Sequence, residues 1–251
     1  MFEYQAPSEL LKNKTILVTG SSDGIGKSVA LAYAQHGATV ILHGRNIKRL
    51  ENTYDEIIAA GWPKPAILPL DLLMATEQDF ASMATTISTE LGGLDGIVHN
   101  AAIISELSPI EFTEFKDWKD IMQVNVNVVF ALTHVCMPLL KQSPAASIIT
   151  VSSGVGRKGR AFWGAYAVSK FAIEGFTQVL ADELDGTSIR INAINPGAVQ
   201  TKMRATAYPA EDSSKLPNSD EITALYLYLM GEDSLEINGQ SINAQGESFV
   251  R

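Results

Sequence analysis

Residues 15–26 read TILVTGSSDGIG, a short apolar run that leads directly into a glycine-rich turn. Thr15–Thr19 is rich in β-branched residues and carries no charge, which is typical of a strand buried on both faces. Glycines between Gly20 and Gly26 allow a tight turn and the close approach of a pyrophosphate, which the first N–H groups of a following helix would face. Because the spacing G-x-x-x-G-x-G differs from the generic G-x-G-x-x-G fingerprint, plain strand-to-helix packing is the alternative. The stretch favours a strand, a dinucleotide-binding turn and a helix.

Six further apolar runs alternate with segments of helical periodicity along the rest of the chain. The runs predict strands at Thr39–His43, Ala66–Leu70, Gly96–His99, Ser147–Val151, Ile189–Ile194 and Gln240–Ile242. The helical segments are Ile25–Gln35, Leu50–Ala60, Thr76–Leu91, Phe115–Leu140, Trp163–Leu184 and Asp220–Met230. Buried strands that alternate with helices pair in parallel, with helices on both faces of the sheet. We expect residues 1–251 to form a single α/β domain, a doubly wound, Rossmann-type parallel sheet of about seven strands.

Charge and composition exclude several classes of protein. The chain has 19 Lys and Arg against 28 Asp and Glu, a net charge of −9, which argues against nucleic-acid binding as the main activity. A single cysteine, Cys136, excludes an intramolecular disulfide, and four scattered histidines show no ligand spacing, so we expect no metal site. The first residues lack an apolar export segment, and Val124–Leu140 is too polar to span a membrane. These features predict a cytoplasmic protein that binds neither nucleic acid nor membrane.

The end of the second predicted strand bears on the choice of dinucleotide. NAD-binding sites of this kind place Asp or Glu about 20 residues past the turn, where it holds the ribose 2′-hydroxyl. Here the strand ends in His43–Gly44–Arg45–Asn46, without a carboxylate and with a guanidinium that suits a 2′-phosphate. The alternative is that Arg45 begins the next helix in solvent. The sequence favours NADP(H), with NAD(H) as the alternative cofactor.

A tyrosine and a lysine share one face of the predicted helix Trp163–Leu184. Tyr166 and Lys170 are four residues apart, so their side chains lie on the same side of the helix. A neighbouring ammonium stabilises a phenolate and lowers its pKa, so that the phenol can exchange a proton with a substrate oxygen. Ser153, at the end of the fifth predicted strand, could hydrogen bond to the same oxygen. Asn125 lies in an apolar helix and needs a partner, either a water relay to Lys170 or an ordinary interhelix hydrogen bond.

Together and in this order, these motifs resemble the short-chain dehydrogenase/reductase family over nearly the whole chain. The matching residues are Thr19-Gly20-x-x-x-Gly24-Ile25-Gly26, Asp71, His99-Asn100-Ala101-Ala102, Asn125, Ser153, Tyr166-x-x-x-Lys170, Asn195-Pro196-Gly197 and Thr201. Further stretches are similar to the YciK-type bacterial branch of the family, namely Leu70–Leu73, Met122–Asn127, Trp163–Tyr166 and Leu225–Gly231. The resemblance indicates the branch of the family to which the chain is similar, but it does not indicate a substrate.

The resemblance implies a catalytic tetrad and a cofactor site. Ser153 would polarise a carbonyl, Tyr166 would act as general acid or base, Lys170 would bind the nicotinamide ribose, and Asn125 would hold a relay water. The implied cofactor-binding residues are Gly20, Ser22, Asp23, Gly24, Ile25, Gly26, Arg45, Asp71, Leu72, Asn100, Ala101, Tyr166, Lys170, Pro196, Gly197, Val199 and Thr201.

The sequence departs from the family pattern at two positions. The usual N-A-G after the fourth strand reads Asn100–Ala101–Ala102, which adds one methyl group near the cofactor. Asp23 stands where NADP-dependent members often carry a basic residue, so its charge opposes the preference for NADP(H). Lys27, one helical turn on, is the candidate counter-charge.

Two loops have both a functional and a plain interpretation. Residues 201–218 form a long, polar connection where a substrate lid would lie, although a solvated surface loop fits equally. The basic segment Gly154–Arg160, which contains Arg157, Lys158 and Arg160, could attract an anionic substrate, although solvent exposure is the default.

We therefore expect an oxidoreductase that transfers hydride between NADP(H) and a small carbonyl or alcohol substrate. The alternative is a nucleotide-binding sensor or interaction protein with the same fold and little turnover. The resemblance also implies a homodimer or homotetramer, paired through the helices predicted at Phe115–Leu140 and Trp163–Leu184.

Overall fold

Seven parallel strands form one sheet in a computed structural model that describes residues 1–247. The last four of the 251 residues assigned to one domain lie outside the described range. The strands are β1 (Thr15–Thr19), β2 (Thr39–Gly44), β3 (Ala66–Pro69), β4 (Gly96–His99), β5 (Ala146–Val151), β6 (Ile189–Asn195) and β7 (Ser241–Asn243). Their order across the sheet is β3-β2-β1-β4-β5-β6-β7. This is the doubly wound, Rossmann-type arrangement that the alternating pattern predicts.

Helices cover both faces of the sheet. They are α1 (Gly24–Gln35), α2 (Ile47–Ala59), α3 (Glu77–Leu91), α4 (Phe115–Met122), α5 (Val128–Leu140), α6 (Gly164–Glu183), α7 (Lys202–Ala207) and α8 (Thr223–Met230). Helices α1, α2 and α8 pack on one face, where Tyr33 and Tyr226 are fully buried. Helices α3, α5 and α6 pack on the other face, around Leu132 and Cys136. The strand residues between them are apolar on both sides, which explains why the runs in the sequence are unbroken rather than alternating.

The strand order reverses between β1 and β4. At such a switch point the connections from adjacent strands leave towards opposite faces, which opens a crevice at the carboxyl ends of the strands. Val18 of β1 lies beside Val98 of β4 in the register of the sheet. The turn after β1 and the segment after β4 therefore meet at the same edge.

Two helices begin three residues away from their predicted starts, whereas most other predicted bounds differ by at most one residue. Helix α2 begins at Ile47 rather than Leu50, because the Asn46 side chain accepts a hydrogen bond from Arg49 N and caps the helix. Helix α8 begins at Thr223 rather than Asp220. The connection at residues 201–218 contains helix α7 and a short 3₁₀ turn at Ser213–Lys215, so part of it is ordered structure.

The helix predicted at Phe115–Leu140 is interrupted by a π-helical turn at Gln123–Asn127, which separates α4 from α5. By length and composition alone, the combined segment could cross a membrane, with a mean hydropathy of 1.4 in its most apolar window. Half of that window is buried inside the protein. Leu132, Cys136 and Leu140 are fully buried in the core, so this apolar face packs on the sheet.

Gly26→Ala is expected to destabilise the fold, because a Cβ at position 26 would lie 2.3 Å from the carbonyl oxygen of Gly20. Overpacking of this kind costs about 1–3 kcal/mol, and here the clash is with backbone that cannot rotate away. The free energy of unfolding, measured by urea denaturation, should fall by at least about 1 kcal/mol. The control is Gly93→Ala, where an added Cβ meets nothing within 4 Å. Equal stability of the two variants would show that the turn does not need this close approach.

Candidate active site

Three cavities adjoin one another along the carboxyl edge of the sheet. One of about 200 Å³ lies between the ends of β2 and β3 and is lined by Gly20, Ser22, Arg45, Asp71, Leu72 and Ala101, among others. The second, of about 260 Å³, includes Asp23, Gly24, Ile25, Asn100, Tyr166, Lys170, Pro196 and Thr201. The third, of about 100 Å³, includes Ser153, Tyr166, Gly197 and Val199. Tyr166, Ile25, Pro196 and Thr201 line both the second and the third cavity, so these two are continuous.

The glycine-rich turn is shaped to bring backbone close to a ligand. Gly20 and Gly24 adopt positive φ angles of 70° and 53°, a region that side chains with a Cβ rarely enter. Gly26 lies beneath the turn rather than in the cavity, packed against Gly20 O and the Asn100 amide. Gly24 and Ile25 at the start of α1 line the second cavity, so the positive end of the helix lies beside it and the turn fits a pyrophosphate.

Asn100 and Thr19 fasten the two sides of the cleft together. The Thr19 hydroxyl accepts hydrogen bonds from the backbone N–H groups of Asn100 and Ala101, both at 3.0 Å. The Asn100 side-chain amide donates to Thr19 O at 3.0 Å. The side chain of Asn100 therefore holds the turn in place, while the residue also lines the second cavity.

Tyr166 and Lys170 lie on the same face of α6, and both are buried. Lys170 Nζ is 5.4 Å from the centre of the Tyr166 ring and donates a hydrogen bond to Val151 O at 2.7 Å. The phenol hydroxyl faces the third cavity, 3.9 Å from Met203 Sδ, and the Trp163 ring packs 5.6 Å from the Tyr166 ring. The spacing thus brings a phenol, an ammonium and Ser153 to one end of the cleft.

Burial dominates the acid–base properties of this pair. It raises the pKa of Tyr166 to about 12, and a hydrogen bond with Ser153 lowers that pKa only in part. It also lowers the pKa of Lys170 to about 8, although the Glu174 carboxylate one turn along α6 acts in the opposite direction. The expected lowering of the phenol pKa by Lys170 is therefore wrong, because desolvation raises this pKa and the Lys170 ammonium donates to Val151 O.

Asn125 lies in the π-helical turn and is almost fully buried. Its amide oxygen accepts from Ile103 N at 2.8 Å, and its amide nitrogen donates to Ile103 O at 3.0 Å and to Ser169 Oγ at 3.1 Å. Ser169 Oγ in turn donates to Tyr166 O at 2.7 Å. The side chain that needed a partner thus has interhelix and loop partners, and it connects the loop after β4 to the helix of Tyr166.

Most of the chain matches one known protein family. The short chain dehydrogenase family matches residues 14–212, which include the glycine-rich turn and the Tyr166–Lys170 pair. The chain belongs to the short-chain dehydrogenase family.

Relatives of this dehydrogenase extend over its whole length. It is 47% identical over 242 residues to the oxidoreductase YciK of Escherichia coli K12, and the match covers 96% of each chain. A structure of a short chain dehydrogenase from Pseudomonas syringae is 53% identical, with a TM-score of 0.96, covering 98% of this chain and 100% of that one. A structure from Escherichia coli CFT073, complexed with NADPH, is 47% identical, with a TM-score of 0.93 and coverage of 96% and 100%. These similarities confirm the Rossmann-type fold, an oxidoreductase and the YciK-type branch.

The ion pairs of the dehydrogenase differ from the sequence interpretation at Asp23. Lys27 does not compensate its charge, because the Lys27 ammonium binds Glu56 at 2.7 Å. Asp23 instead pairs with Lys202 at the start of α7, and Arg49 lies 3.5 Å from the same carboxylate oxygen. The sequence could not predict Lys202 as the partner of Asp23, because the two residues are 179 positions apart in the chain.

The basic segment after β5 does not form a single patch. Arg157 turns away from the cleft and binds Glu174 at 3.3 Å, Ser241 Oγ at 2.6 Å and Asn243 Oδ1 at 2.6 Å. It fastens the loop of Ser153 to α6 and β7, so neither an anion site nor solvent exposure describes it. Arg160, which is exposed, donates to the Tyr208 hydroxyl at 3.0 Å.

Residues 201–218 lie at the open end of the third cavity. Met203, Arg204 and Ala207 of α7 line it. Arg204 makes two hydrogen bonds of 2.6 Å to Glu211, and its guanidinium lies 3.9 Å from the Tyr208 ring centre. Charged and aromatic contacts within the segment thus keep α7 folded against the cleft.

Most of the residues identified in the sequence line one of the three cavities. Gly26 and Asn125 do not, because one supports the turn from below and the other supports α6 from behind. Lys202 and Met203 also line the cavities, and no motif in the sequence marks them, since no spacing rule covers a segment of this kind.

Lys170→Met tests the burial of the ammonium through the pH dependence of stability. The folded-state pKa of Lys170, about 8, lies below the ordinary 10.5, so the unfolded chain binds more protons between these values and the contribution of Lys170 to stability rises with pH. Relative to the variant, the wild type should gain about 2 kcal/mol of unfolding free energy from about pH 7 to about pH 9.5.

The measurement is urea denaturation at several pH values. The matched control is Lys64→Met at an exposed position, which should follow the wild type across the whole range. A difference between wild type and Lys170→Met that does not change with pH would contradict a buried, desolvated ammonium.

Proposed function

We propose that this dehydrogenase transfers hydride between NADP(H) and a small carbonyl or alcohol substrate, with Tyr166 as the general acid or base. The observation that carries the proposal is the convergence of Tyr166, Ser153 and Lys170 on one continuous cleft beside the glycine-rich turn. When bound, the nicotinamide supplies or accepts the hydride. The protein supplies orientation and the proton.

NADP(H) is the proposed cofactor. The cavity between the ends of β2 and β3 has Arg45 on its edge and no carboxylate at the end of β2, which favours a 2′-phosphate over a free 2′-hydroxyl. Two relatives with at least 46% identity, from Escherichia coli and Shigella flexneri, have structures complexed with NADPH and NADP. NAD(H) is the alternative, and it would leave the Arg45 guanidinium without a phosphate partner.

Tyr166 suits the role of proton donor. Because burial raises the pKa of Tyr166 to about 12, its phenol carries a proton at neutral pH and can give it to an alkoxide that forms from a carbonyl. Ser153, which lines the third cavity together with the phenol, would hold the same substrate oxygen. Lys170 would hold the nicotinamide ribose, and a bound ribose hydroxyl would replace part of the solvation that the ammonium lacks.

The segment at residues 201–218 is proposed as the substrate lid. Met203 and Ala207 give the third cavity an apolar wall, and Ile104 and Trp163 lie opposite, so the substrate would be small and largely apolar around its reactive carbon. The Arg204–Glu211 pair would hold this wall in place during the reaction. The shape of the third cavity would select the substrate, and the glycine-rich turn does not determine that shape.

Tyr166→Phe is expected to reduce turnover by about 100-fold or more, because it removes the proton donor and leaves the aromatic ring in place. NADPH binding should persist, since the aromatic ring, Lys170 and the glycine-rich turn all remain in the cleft. The measurements are NADPH oxidation with a panel of aldehydes and ketones, and NADPH fluorescence titration. Undiminished turnover in the variant would exclude the assigned role.

The sensor alternative predicts a different outcome of the same panel. A protein that only senses the nucleotide would bind NADPH tightly yet oxidise it with none of the carbonyl compounds. The buried pairing of Tyr166 with Lys170 disfavours this alternative, because burying an ammonium is costly and binding a nucleotide does not require a phenol beside it.

The exposed apolar residues of α5 and α6 support a homodimer or homotetramer. Phe130, Val168, Phe171 and Val179 are each more than 40% exposed. Apolar side chains grouped on two helices favour pairing about a twofold axis, as the family pattern implies. We propose that such an oligomer acts in the cytoplasm.

Phe130→Glu combined with Val179→Glu should shift the protein from dimer or tetramer to monomer in sedimentation velocity, because two charges would be buried in each subunit contact. Ile58→Glu on α2, also at an exposed apolar position, is the control and should leave the mass unchanged. A wild type that sediments as a monomer would refute the assembly.

A further inference from the structure

The carboxylate of Asp23 lies at the mouth of the second cavity with two cations beside it. Asp23 caps α1, since its side chain accepts from Gly24 N at 2.9 Å. Its other oxygen pairs with the ammonium of Lys202 and lies 3.5 Å from the Arg49 guanidinium. The hydrogen bond from Lys202 is the main reason that the pKa of Asp23 falls below its ordinary value.

Lys202 reaches this position from the lid. It is the first residue of α7 and lines the second cavity together with Gly20, Gly24 and Lys170. The preceding Thr201 also contacts the turn, because a Cβ built on Gly24 would lie 3.4 Å from Thr201 Cγ2. The start of the lid therefore rests directly on the glycine-rich turn.

We propose that Lys202 is a phosphate-binding residue for the diphosphate of the dinucleotide, and that Asp23 is the positioning residue that holds it over the turn. The assignment rests on the proposed function only in that the cleft binds a dinucleotide. The family resemblance includes Asp23 only as a cofactor contact, and it does not include Lys202.

The available donors and charges favour this role. An ammonium has three N–H donors, and Asp23 takes one of them, so two can reach the phosphate oxygens. Lys202 and Arg49 carry two positive charges and Asp23 carries one negative charge, so the net charge of this group at the mouth of the cavity is positive. The pair is exposed, so it contributes little stability, and partial transfer of Lys202 to a phosphate costs little.

The arrangement also explains how a carboxylate is tolerated beside a phosphate-binding turn. Without Lys202, the Asp23 charge would face the diphosphate across the start of α1 and repel it. With Lys202 in place, the same charge positions a cation. Because Lys202 begins α7, dinucleotide binding would hold the lid against the turn and order the wall of the substrate cavity.

Equilibrium binding of NADPH and of NADH to the purified full chain tests the assignment. Lys202→Gln should weaken both cofactors by about tenfold or more, because both carry the diphosphate and a charge-assisted hydrogen bond is lost. Lys202→Arg should recover most of the affinity. The matched control is Lys215→Gln, a lysine of the same segment that pairs with Asp212 and lines none of the three cavities, and it should change neither constant by more than about twofold.

Arg45→Ala separates the two phosphate sites. It should weaken NADPH and leave NADH unchanged, since only NADPH carries the 2′-phosphate. If Lys202→Gln weakened NADPH alone, Lys202 would belong to the 2′-phosphate site and the diphosphate assignment would be overturned. Unchanged affinity for both cofactors would overturn it as well.

A double-mutant cycle tests the role of Asp23. In the wild-type background, Lys202→Gln leaves the Asp23 carboxylate without its ammonium, so the carboxylate repels the diphosphate. In the Asp23→Asn background there is no carboxylate at this position, so Lys202→Gln should cost several-fold less affinity. Asparagine retains the helix cap, which keeps the turn folded. Equal losses in both backgrounds would remove Asp23 from the proposal.

Hydrogen exchange gives a readout that does not depend on affinity. NADPH at saturating concentration should protect the amides of residues 201–208 in the wild type, and this protection should be lost in Lys202→Gln at equal saturation. A wild type that binds neither dinucleotide would overturn the proposed function together with this inference. Tight binding by wild type and Lys202→Gln alike would overturn the inference only.

Discussion

The close approach of the turn after β1 to the end of β4 is the contact on which the rest of the site depends. Gly26 lies against Gly20 O, at a distance that excludes any side chain, and Asn100 binds the same turn through its amide. Because of this contact, the first residues of α1 lie beside the crevice between β1 and β4. The ends of β5 and β6 and the helices α6 and α7 complete the cleft around it.

Burial determines the chemistry of the site more than charge pairing does. The sheet and α6 remove Tyr166 and Lys170 from water, which keeps the phenol protonated and makes the ammonium easier to deprotonate. A hydrogen bond to Val151 O fixes the Lys170 ammonium, and the Trp163 ring packs 5.6 Å from the Tyr166 ring. Contacts within the protein therefore hold the pair in place, which is what orientation at a reacting centre requires.

The sequence predicted those parts of the fold and of the site that short sequence patterns encode. Strands such as Thr15–Thr19 and the turn that follows were predictable, because unbroken β-branched runs and glycines have direct local causes. The i and i+4 spacing likewise indicated the face shared by Tyr166 and Lys170. The pKa of Tyr166 was predicted in the wrong direction, because desolvation depends on what packs around the ring rather than on which residue lies four positions away.

By itself, the sequence determined the doubly wound sheet, the glycine-rich turn and the shared helix face of Tyr166 and Lys170, since each is encoded by neighbours along the chain. Only the tertiary structure decided which charges meet. Lys202 reaches Asp23 across 179 residues, and Arg157 turns away from the cleft to join Glu174 with β7. The physical reason is that long, flexible charged side chains take their partners from whatever the folded backbone brings within a few ångströms, and sequence spacing carries no information about that distance.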